Sequence, residues 1–208
     1  MAKQIIIIGS GAAGMTAAST AKAKDPASDV TIFTEDVDIA YSPCAIPWGI
    51  EGKSAWTDIV MHTPDFYEKE RGIKVYTQTK VEAVDDAAKT VTANGKAYNY
   101  DSLVIAAGSR VFVPPIEGAG LKNVFKVKTV ADGKLMQEVL KDAKEVVIGG
   151  AGVIGLELAV AMKDMGKDVT VIEMMDQVIP RIADKDMADV IQAHLEDRGI
   201  KFVMKAPV

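Results

Sequence analysis

The residues best equipped for chemistry are two glycine clusters and one thiol. Gly9-Ser10-Gly11-Ala12-Ala13-Gly14 and Gly150-Ala151-Gly152-Val153-Ile154-Gly155 both follow the G-x-G-x-x-G pattern, and Cys44 is the single cysteine of 208 residues. In such a cluster the first glycine makes a tight turn and the second lets a pyrophosphate approach the backbone. The third lets a helix pack on a strand, and that helix presents its N-terminus to the phosphate charge. Two dinucleotide sites with a thiol beside one of them suggest an electron path from a nicotinamide to a flavin and on to a sulfur centre.

The flanking sequence supplies what such clusters need. Lys3-Gln4-Ile5-Ile6-Ile7-Ile8 is an apolar β-branched run, as expected of a buried parallel strand. A helical stretch, 12–24, follows the first cluster, and Val30 to Thr34 reads as a second strand ending at Glu35. The distance from Gly14 to Glu35 fits a carboxylate that hydrogen-bonds an adenosine ribose. The second cluster repeats the order: strand at 145–148, helix at 153–165, strand at 169–172, then Glu173 at a similar distance from Gly155. The bland alternative is an ordinary βαβ unit that binds nothing.

Composition bounds the rest. Hydrophobic residues make up 49% of the chain and the net charge is −5, from 24 basic and 29 acidic side chains. With mean hydropathy +0.12 and pI about 5.1, the chain can bury a core and lacks the basic field of a nucleic-acid or polybasic membrane binder. The apolar run at 5–8 is too short for a signal peptide, and no stretch is long enough to span a bilayer. One cysteine makes no intrachain disulfide, so a cytoplasmic protein is the simplest expectation. One cysteine and two distant histidines, His62 and His194, make no metal set.

The expected fold class is α/β, with two Rossmann-like dinucleotide-binding units on parallel sheets and a small antiparallel meander inserted in the first. An irregular stretch is expected over 36–63, then a short helix at 64–71 stopped by Gly72. Strands follow at 73–76, 80–84, 90–93 and 96–100, with Asn94-Gly95 as a hairpin turn, and another at 103–106. The Pro-rich crossing Val113-Pro114-Pro115 marks the domain boundary, giving one dinucleotide-binding domain at 1–112 and a second, incomplete one at 113–208. Helices are expected at 131–142 and 185–198, the latter stopped by Gly199, and a strand at 201–204. The stretch from Gly155 to Val208 is shorter than a complete nicotinamide domain needs, so the sequence reads as the N-terminal portion of a longer protein.

The sequence resembles the FAD- and NAD(P)-dependent pyridine nucleotide-disulfide oxidoreductases. Its matching residues are Gly9 to Gly14 with Glu35, the run Tyr41-Ser42-Pro43-Cys44-Ala45-Ile46-Pro47, the run Tyr100 to Ser109, and Gly149 to Glu157 with Glu173. Within them it is most similar to the single-cysteine branch of coenzyme A-disulfide reductases, NADH oxidases, NADH peroxidases and archaeal sulfur-reducing relatives. The resemblance implies that Gly9, Gly11, Ala12, Ala13, Gly14 and Glu35 hold FAD, that Val81 meets the adenine through its backbone, and that Ala107 and Gly108 close over the flavin nucleotide. It implies that Gly150, Gly152, Val153, Ile154, Gly155, Glu157 and Glu173 bind the nicotinamide nucleotide, and that Cys44 is the catalytic residue beside the flavin ring. It further implies a small disulfide or sulfur substrate and a homodimeric parent. The chain departs from the branch at Ala40, where serine is usual, at Pro43-Cys44-Ala45 in place of Asn-Cys-Gly, and at Ser10, where peroxidases carry histidine.

Cys44 has two readings, a core-packed thiol or a redox thiol. Ser42-Pro43 looks like an N-cap followed by proline at the first helical position, which would put Cys44 in a first turn whose amides favour a thiolate, with Pro47 kinking or shortening the helix. Its partner would then be external, giving a mixed disulfide, a persulfide or a sulfenic acid. A carboxylate at Glu173, followed by Met174-Met175-Asp176-Gln177 with no basic residue, favours NADH over NADPH. The two methionines read as packing, His194 as structural or exposed, and His62 as a minor active-site candidate. Trp48 and Trp56 read as core or loop anchors, with Trp48 a candidate lining for a substrate path. The expected function is flavin-dependent transfer of electrons from NADH to coenzyme A disulfide, polysulfide or a similar disulfide. The alternatives are an oxygen- or peroxide-reducing oxidase, a rubredoxin- or ferredoxin-type reductase that needs no thiol, and a nucleotide-binding fragment without activity that holds FAD weakly.

Overall fold

In the computed structural model, which describes residues 2–207, the chain divides into two compact units. Unit 1 comprises 1–44, 55–111 and 128–131, and unit 2 comprises 45–54, 112–127 and 132–208.

Unit 1 is built on β1 (Gln4–Ile8), α1 (Ala12–Lys24) and β2 (Asp29–Phe33). After the segment of unit 2 that carries α2 (Ile46–Glu51), unit 1 resumes with α3 (Trp56–Ile59), α4 (Pro64–Arg71) and β3 (Ile73–Tyr76). The meander β4 (Val81–Asp85), β5 (Thr90–Ala93) and β6 (Lys96–Asn99) comes next, then β7 (Ser102–Ile105). The parallel sheet runs β3-β2-β1-β7, and the antiparallel sheet β4-β5-β6. Strand β1 is buried on both faces, as its unbroken isoleucine run requires. Ile5 and Ile7 pack with Met15 and Ala18 of α1 and with Val30, Ile32 and Ile73. Ile6 points the other way and packs with Phe33, Val91, Ala93 and Tyr100, so the meander covers the second face. Phe33 stacks on Tyr76 at 5.3 Å and tilts against Tyr98 at 4.8 Å.

Local signals explain the ends of α4. Thr63 Oγ1 accepts from Phe66 N, Pro64 occupies the first turn, and Gly72 closes the helix at φ +62. Asn94 and Gly95 both have positive φ, as a type I′ hairpin requires.

Unit 2 repeats the first pattern with β8 (Glu145–Gly149), α6 (Val153–Asp164), β9 (Asp168–Ile172) and β10 (Lys201–Val203), in the parallel order β10-β9-β8. Helix α5 (Val130–Leu140) precedes β8, and α7 (Lys185–Asp197) precedes β10. The α/β class with parallel sheets and an inserted antiparallel meander is thus as expected.

The stretch expected to be irregular, 36–63, is partly helical. A 3-10 turn at Pro43–Ala45 runs into α2, and α3 follows. Helix α2 contains proline and glycine, so packing rather than propensity holds it. Ile46, Pro47, Gly49 and Ile50 are buried, and Gln137 Nε2 donates to the carbonyls of Gly49 and Ile50 at 2.8 and 3.2 Å.

Candidate functional site

The first glycine loop joins β1 to α1. Gly9 has φ +105, and a Cβ there would lie 2.2 Å from the Ala106 carbonyl oxygen. A Cβ on Gly14 would lie 2.0 Å from the Gly9 carbonyl oxygen, whereas one on Gly11 would meet nothing within 4 Å. Gly9 and Gly14 are therefore fixed by packing, and Gly11 faces open space. Gly11 is also the N-cap of α1, without a side-chain cap and with no acid in the first turn. An uncapped, unhindered helix N-terminus with free amide donors fits a phosphate anion.

Around this loop unit 1 gathers further groups. Buried Ser10 donates through Oγ to Thr34 Oγ1 at 3.0 Å. Glu35 is exposed at the end of β2, with Arg110 Nη2 3.6 Å from its Oε1. Ala107 and Gly108 follow directly on the Ala106 that packs against Gly9, and Lys128 Nζ donates to Ser109 Oγ at 3.1 Å. Ala40, at φ +52, donates to the Ser10 carbonyl at 3.4 Å, which ties the segment leading to Cys44 to the same loop. Val81 packs in part against the Phe33 cluster, ahead of a β-bulge between Val81 and Ala83. Thr34, Arg110 and Lys128 escape sequence reasoning, and Ser10 enters it only as a cluster member and a departure from the peroxidases. Arg110, just after Gly108 and Ser109, carried the one signal available.

Cys44 is exposed, which excludes the core-packed reading. Its helical setting differs from expectation. Cys44 sits in the 3-10 turn, and α2 begins after it, with Ala45 as N-cap and no side-chain cap. Pro47 lies in the first turn of α2 rather than kinking it. An α-helix begun at Pro43 would need the N–H of residue 47, which proline lacks. Trp48 is 57% exposed, so it is no core anchor. His62 is exposed and stacks on Phe66 at 4.1 Å, and His194 is exposed on α7.

The second glycine loop matches the first. A Cβ on Gly155 would lie 2.1 Å from the Gly150 carbonyl oxygen, while Gly152, the uncapped N-cap of α6, is open. Val153 and Ile154 are exposed in the first turn, and Glu157 is exposed further along α6. Glu173 is only 7% exposed, and its oxygens accept from Ala151 N and Met175 N, both at 2.8 Å. Met174 and Met175 are 68% and 48% exposed, so they do not pack in a core. Among the described residues no group of three metal-ligating side chains exists, and no helix is long and apolar enough to cross a membrane.

The sequence profile of the pyridine nucleotide-disulphide oxidoreductases matches residues 3–208, and the chain belongs to that family. The NADH oxidase of Methanocaldococcus jannaschii is 46% identical over 211 residues, covering 98% of this chain and 47% of that protein. A solved NAD-dependent persulfide reductase from A. fulgidus superposes with TM-score 0.93 at 34% identity, covering 97% of this chain and 40% of that one. The water-forming NADH oxidase of Lactobacillus brevis, solved with NADH, gives TM-score 0.93 at 31% identity, covering 100% and 47%. Its engineered NADPH-oxidase form, solved with NADPH, gives 0.93 at 30%, covering 99% and 47%. That form replaces a glycine, a later aspartate together with the two residues after it, and a proline beyond them; arginine follows the replaced aspartate. Gly155, Glu173, Met174, Met175 and Pro180 have the same spacing here. The chain spans about half the length of the curated relatives it matches, 47%, 45% and 44% of the first three.

Proposed function

We propose that this chain serves an NADH-dependent flavoprotein that reduces a sulfur species at Cys44. Coenzyme A disulfide, a polysulfide or a related low-molecular-weight disulfide is the acceptor. The observation that carries this reading is the pairing of two glycine loops, each with an open second glycine on an uncapped helix, with an exposed single thiol. The named persulfide reductase with the same fold supports the sulfur acceptor.

FAD, when bound, supplies the two-electron relay between nicotinamide and sulfur. On this reading Gly9, Gly11, Ala12, Ala13 and Gly14 hold its pyrophosphate through backbone N–H groups. Glu35 takes a ribose hydroxyl, Val81 meets the adenine, and Ala107-Gly108 lie along the flavin nucleotide. Residues 1–112 form this domain and 113–208 the nicotinamide domain, with the 45–54 segment grouped with unit 2. Gly150, Gly152, Val153, Ile154 and Gly155 hold the nicotinamide nucleotide, helped by Glu157 and Glu173. NADH is preferred because no cation stands at Met174 to Gln177, where the engineered NADPH oxidase carries arginine. The Cys44 thiolate attacks one sulfur of the disulfide RSSR, forming Cys44–S–S–R and releasing RS⁻.

A second reading rests on the 46% identical NADH oxidase. There the acceptor is oxygen or peroxide; with peroxide, the Cys44 thiolate takes one oxygen as sulfenic acid and releases hydroxide. The test is NADH turnover against coenzyme A disulfide, polysulfide, oxygen and peroxide, in a protein of the relatives' full length. Preference for a sulfur acceptor, abolished by Cys44→Ser, supports the first reading. Turnover that Cys44→Ser leaves unchanged with every acceptor removes the thiol from the mechanism and favours a reductase of a small redox protein.

A further inference from the structure

Cys44 ends the first segment of unit 1, and the chain passes to unit 2 at Ala45. The two sides of the thiol are tied to different units. On the unit 1 side, Ala40 N donates to the Ser10 carbonyl at 3.4 Å, and Tyr41 forms an isolated antiparallel bridge with Val60. On the unit 2 side, the 3-10 turn Pro43–Ala45 runs straight into α2. Whatever fixes α2 therefore fixes the turn that carries Cys44.

Helix α2 does not hold itself. It has six residues, with Pro47 in its first turn and Gly49 in its interior. A helix this short is unstable in isolation, and glycine costs it about 1 kcal/mol more. Its last carbonyls also have no partners within the helix. The Trp48 carbonyl accepts from Ser54 N at 3.3 Å, and the Gly49 carbonyl from Gly52 N at 3.1 Å. Half-buried Gln137 of α5 adds a side-chain donor: its Nε2 donates to Gly49 O at 2.8 Å and to Ile50 O at 3.2 Å. That nitrogen has two hydrogens, one for each bond. Just past the helix, Lys53 pairs with Asp164 at 3.0 Å, but both side chains meet solvent, and such a pair contributes little. Burial of Ile46 and Ile50 stabilises α2 without giving it a direction. The Gln137 amide gives the direction.

We propose that Gln137 is a positioning residue for Cys44: its two hydrogen bonds orient α2, and α2 orients the turn that presents the thiol. The inference rests on the reading of Cys44 as the reacting thiol. Loss of the amide takes a donor from the carbonyls of two buried residues, Gly49 and Ile50, which costs more than the bonds contribute when made. Helix α2 then frays, and the chain from Tyr41 to Ala45 loses its fixed geometry.

Because Cys44 is the single cysteine, a nitroxide spin label placed on it in the 208-residue chain reads the order of the turn directly. Amide exchange of Gly52 and Ser54, followed by NMR, reads the order of α2. Gln137→Leu, of similar volume and without a donor, should narrow the label's spectrum to that of a flexible loop and speed both amides about tenfold. The amides of Ile7 and Ile32 in unit 1 should change by less than about twofold. Gln137→Lys, which keeps an N–H donor on a stem of similar reach, should keep the label ordered, as should Lys53→Met. If Gln137→Leu does not fold, Gln137→Asn, whose amide is one methylene too short, carries the same expectations. An ordered label with unchanged exchange would overturn the proposal. So would equal loosening of the unit 1 strands, or a lysine variant as loose as the leucine one. In a protein of the relatives' full length, Gln137→Leu should lower kcat with sulfur acceptors about tenfold and leave the KM for NADH unchanged. If Cys44→Ser leaves that turnover intact, the thiol reading fails, while the label still decides the positioning.

Discussion

Gly14 lies directly against Gly9, so that a Cβ at 14 would approach the Gly9 carbonyl oxygen to 2.0 Å; Gly155 and Gly150 repeat the approach at 2.1 Å. Gly11 and Gly152 face open space at ordinary φ values of −73° and −74°. Sterics therefore separate two roles within each cluster. Gly14→Ala and Gly155→Ala are expected to cost about 1–3 kcal/mol by overpacking. Gly11→Ala and Gly152→Ala are expected to leave the melting temperature unchanged and to weaken nucleotide binding. Thermal melts beside calorimetric titrations of FAD and NADH check this. A stable Gly14→Ala protein would show that the loop yields more than its backbone contacts allow.

Cys44 is the single thiol and it is exposed. Native protein should titrate one equivalent with a thiol reagent, without denaturant. Cys44→Ser should shift stability by less than about 0.5 kcal/mol, as exposed substitutions do. Any loss of sulfur-acceptor turnover in Cys44→Ser then belongs to chemistry rather than to folding. A native thiol count near zero would contradict the exposed turn at 43–45.

Much of the fold is legible in local sequence because the two repeats carry redundant signals. The β-branched runs, the glycine turns and the stop Gly72 agree on the same elements. Helix α2 is not legible, because a short helix with Pro47 and Gly49 depends on burial and on Gln137, which is remote from Ile50 in sequence. The site is legible to the level of its loops. The difference between Glu35 and Glu173 is not, since the spacing from the third glycine to the acid says nothing of register. Gly9 N donates to Phe33 O and Gly150 N to Ile172 O, and only these bonds show that Glu173 stands where Thr34 does.

Phe33 is fully buried between the sheet and the meander, whereas Val147 on β8 is 65% exposed. Phe33→Ala should cost about 3–5 kcal/mol, from lost transfer energy and the cavity left between Tyr76 and Tyr98. It should also reduce the near-ultraviolet circular dichroism of those tyrosines. Val147→Ala should cost less than about 0.5 kcal/mol. Denaturant melts of both variants make the comparison, and equal costs would contradict the burial of Phe33.

Asp164, the last residue of α6, collects two cations within unit 2. Lys53 Nζ is 3.0 Å from Oδ2, Arg198 Nη2 is 2.5 Å from Oδ1, and Lys53 also meets Glu51 at 2.5 Å. The Lys53 hydrogen bond, aided by Arg198, holds the Asp164 carboxyl below its ordinary 3.8. A carboxyl that binds its proton more weakly folded than unfolded stabilises the fold above the unfolded value, and that contribution is lost as pH falls through the folded one. Asp164→Asn should therefore lower the melting temperature at pH 7, and the gap to the unaltered protein should be narrower at about pH 3, below the ordinary 3.8. Lys53 is held above 10.5 by Glu51 first and then Asp164, so its share persists below 10.5 and is lost only as pH rises through its folded value. The side chains of Asp164 and Lys53 are 28% and 58% exposed, so added salt should shrink the gap at pH 7. A gap equal at both pH values, and insensitive to salt, would mean that the asparagine variant fails for its shape and that the charges contribute nothing.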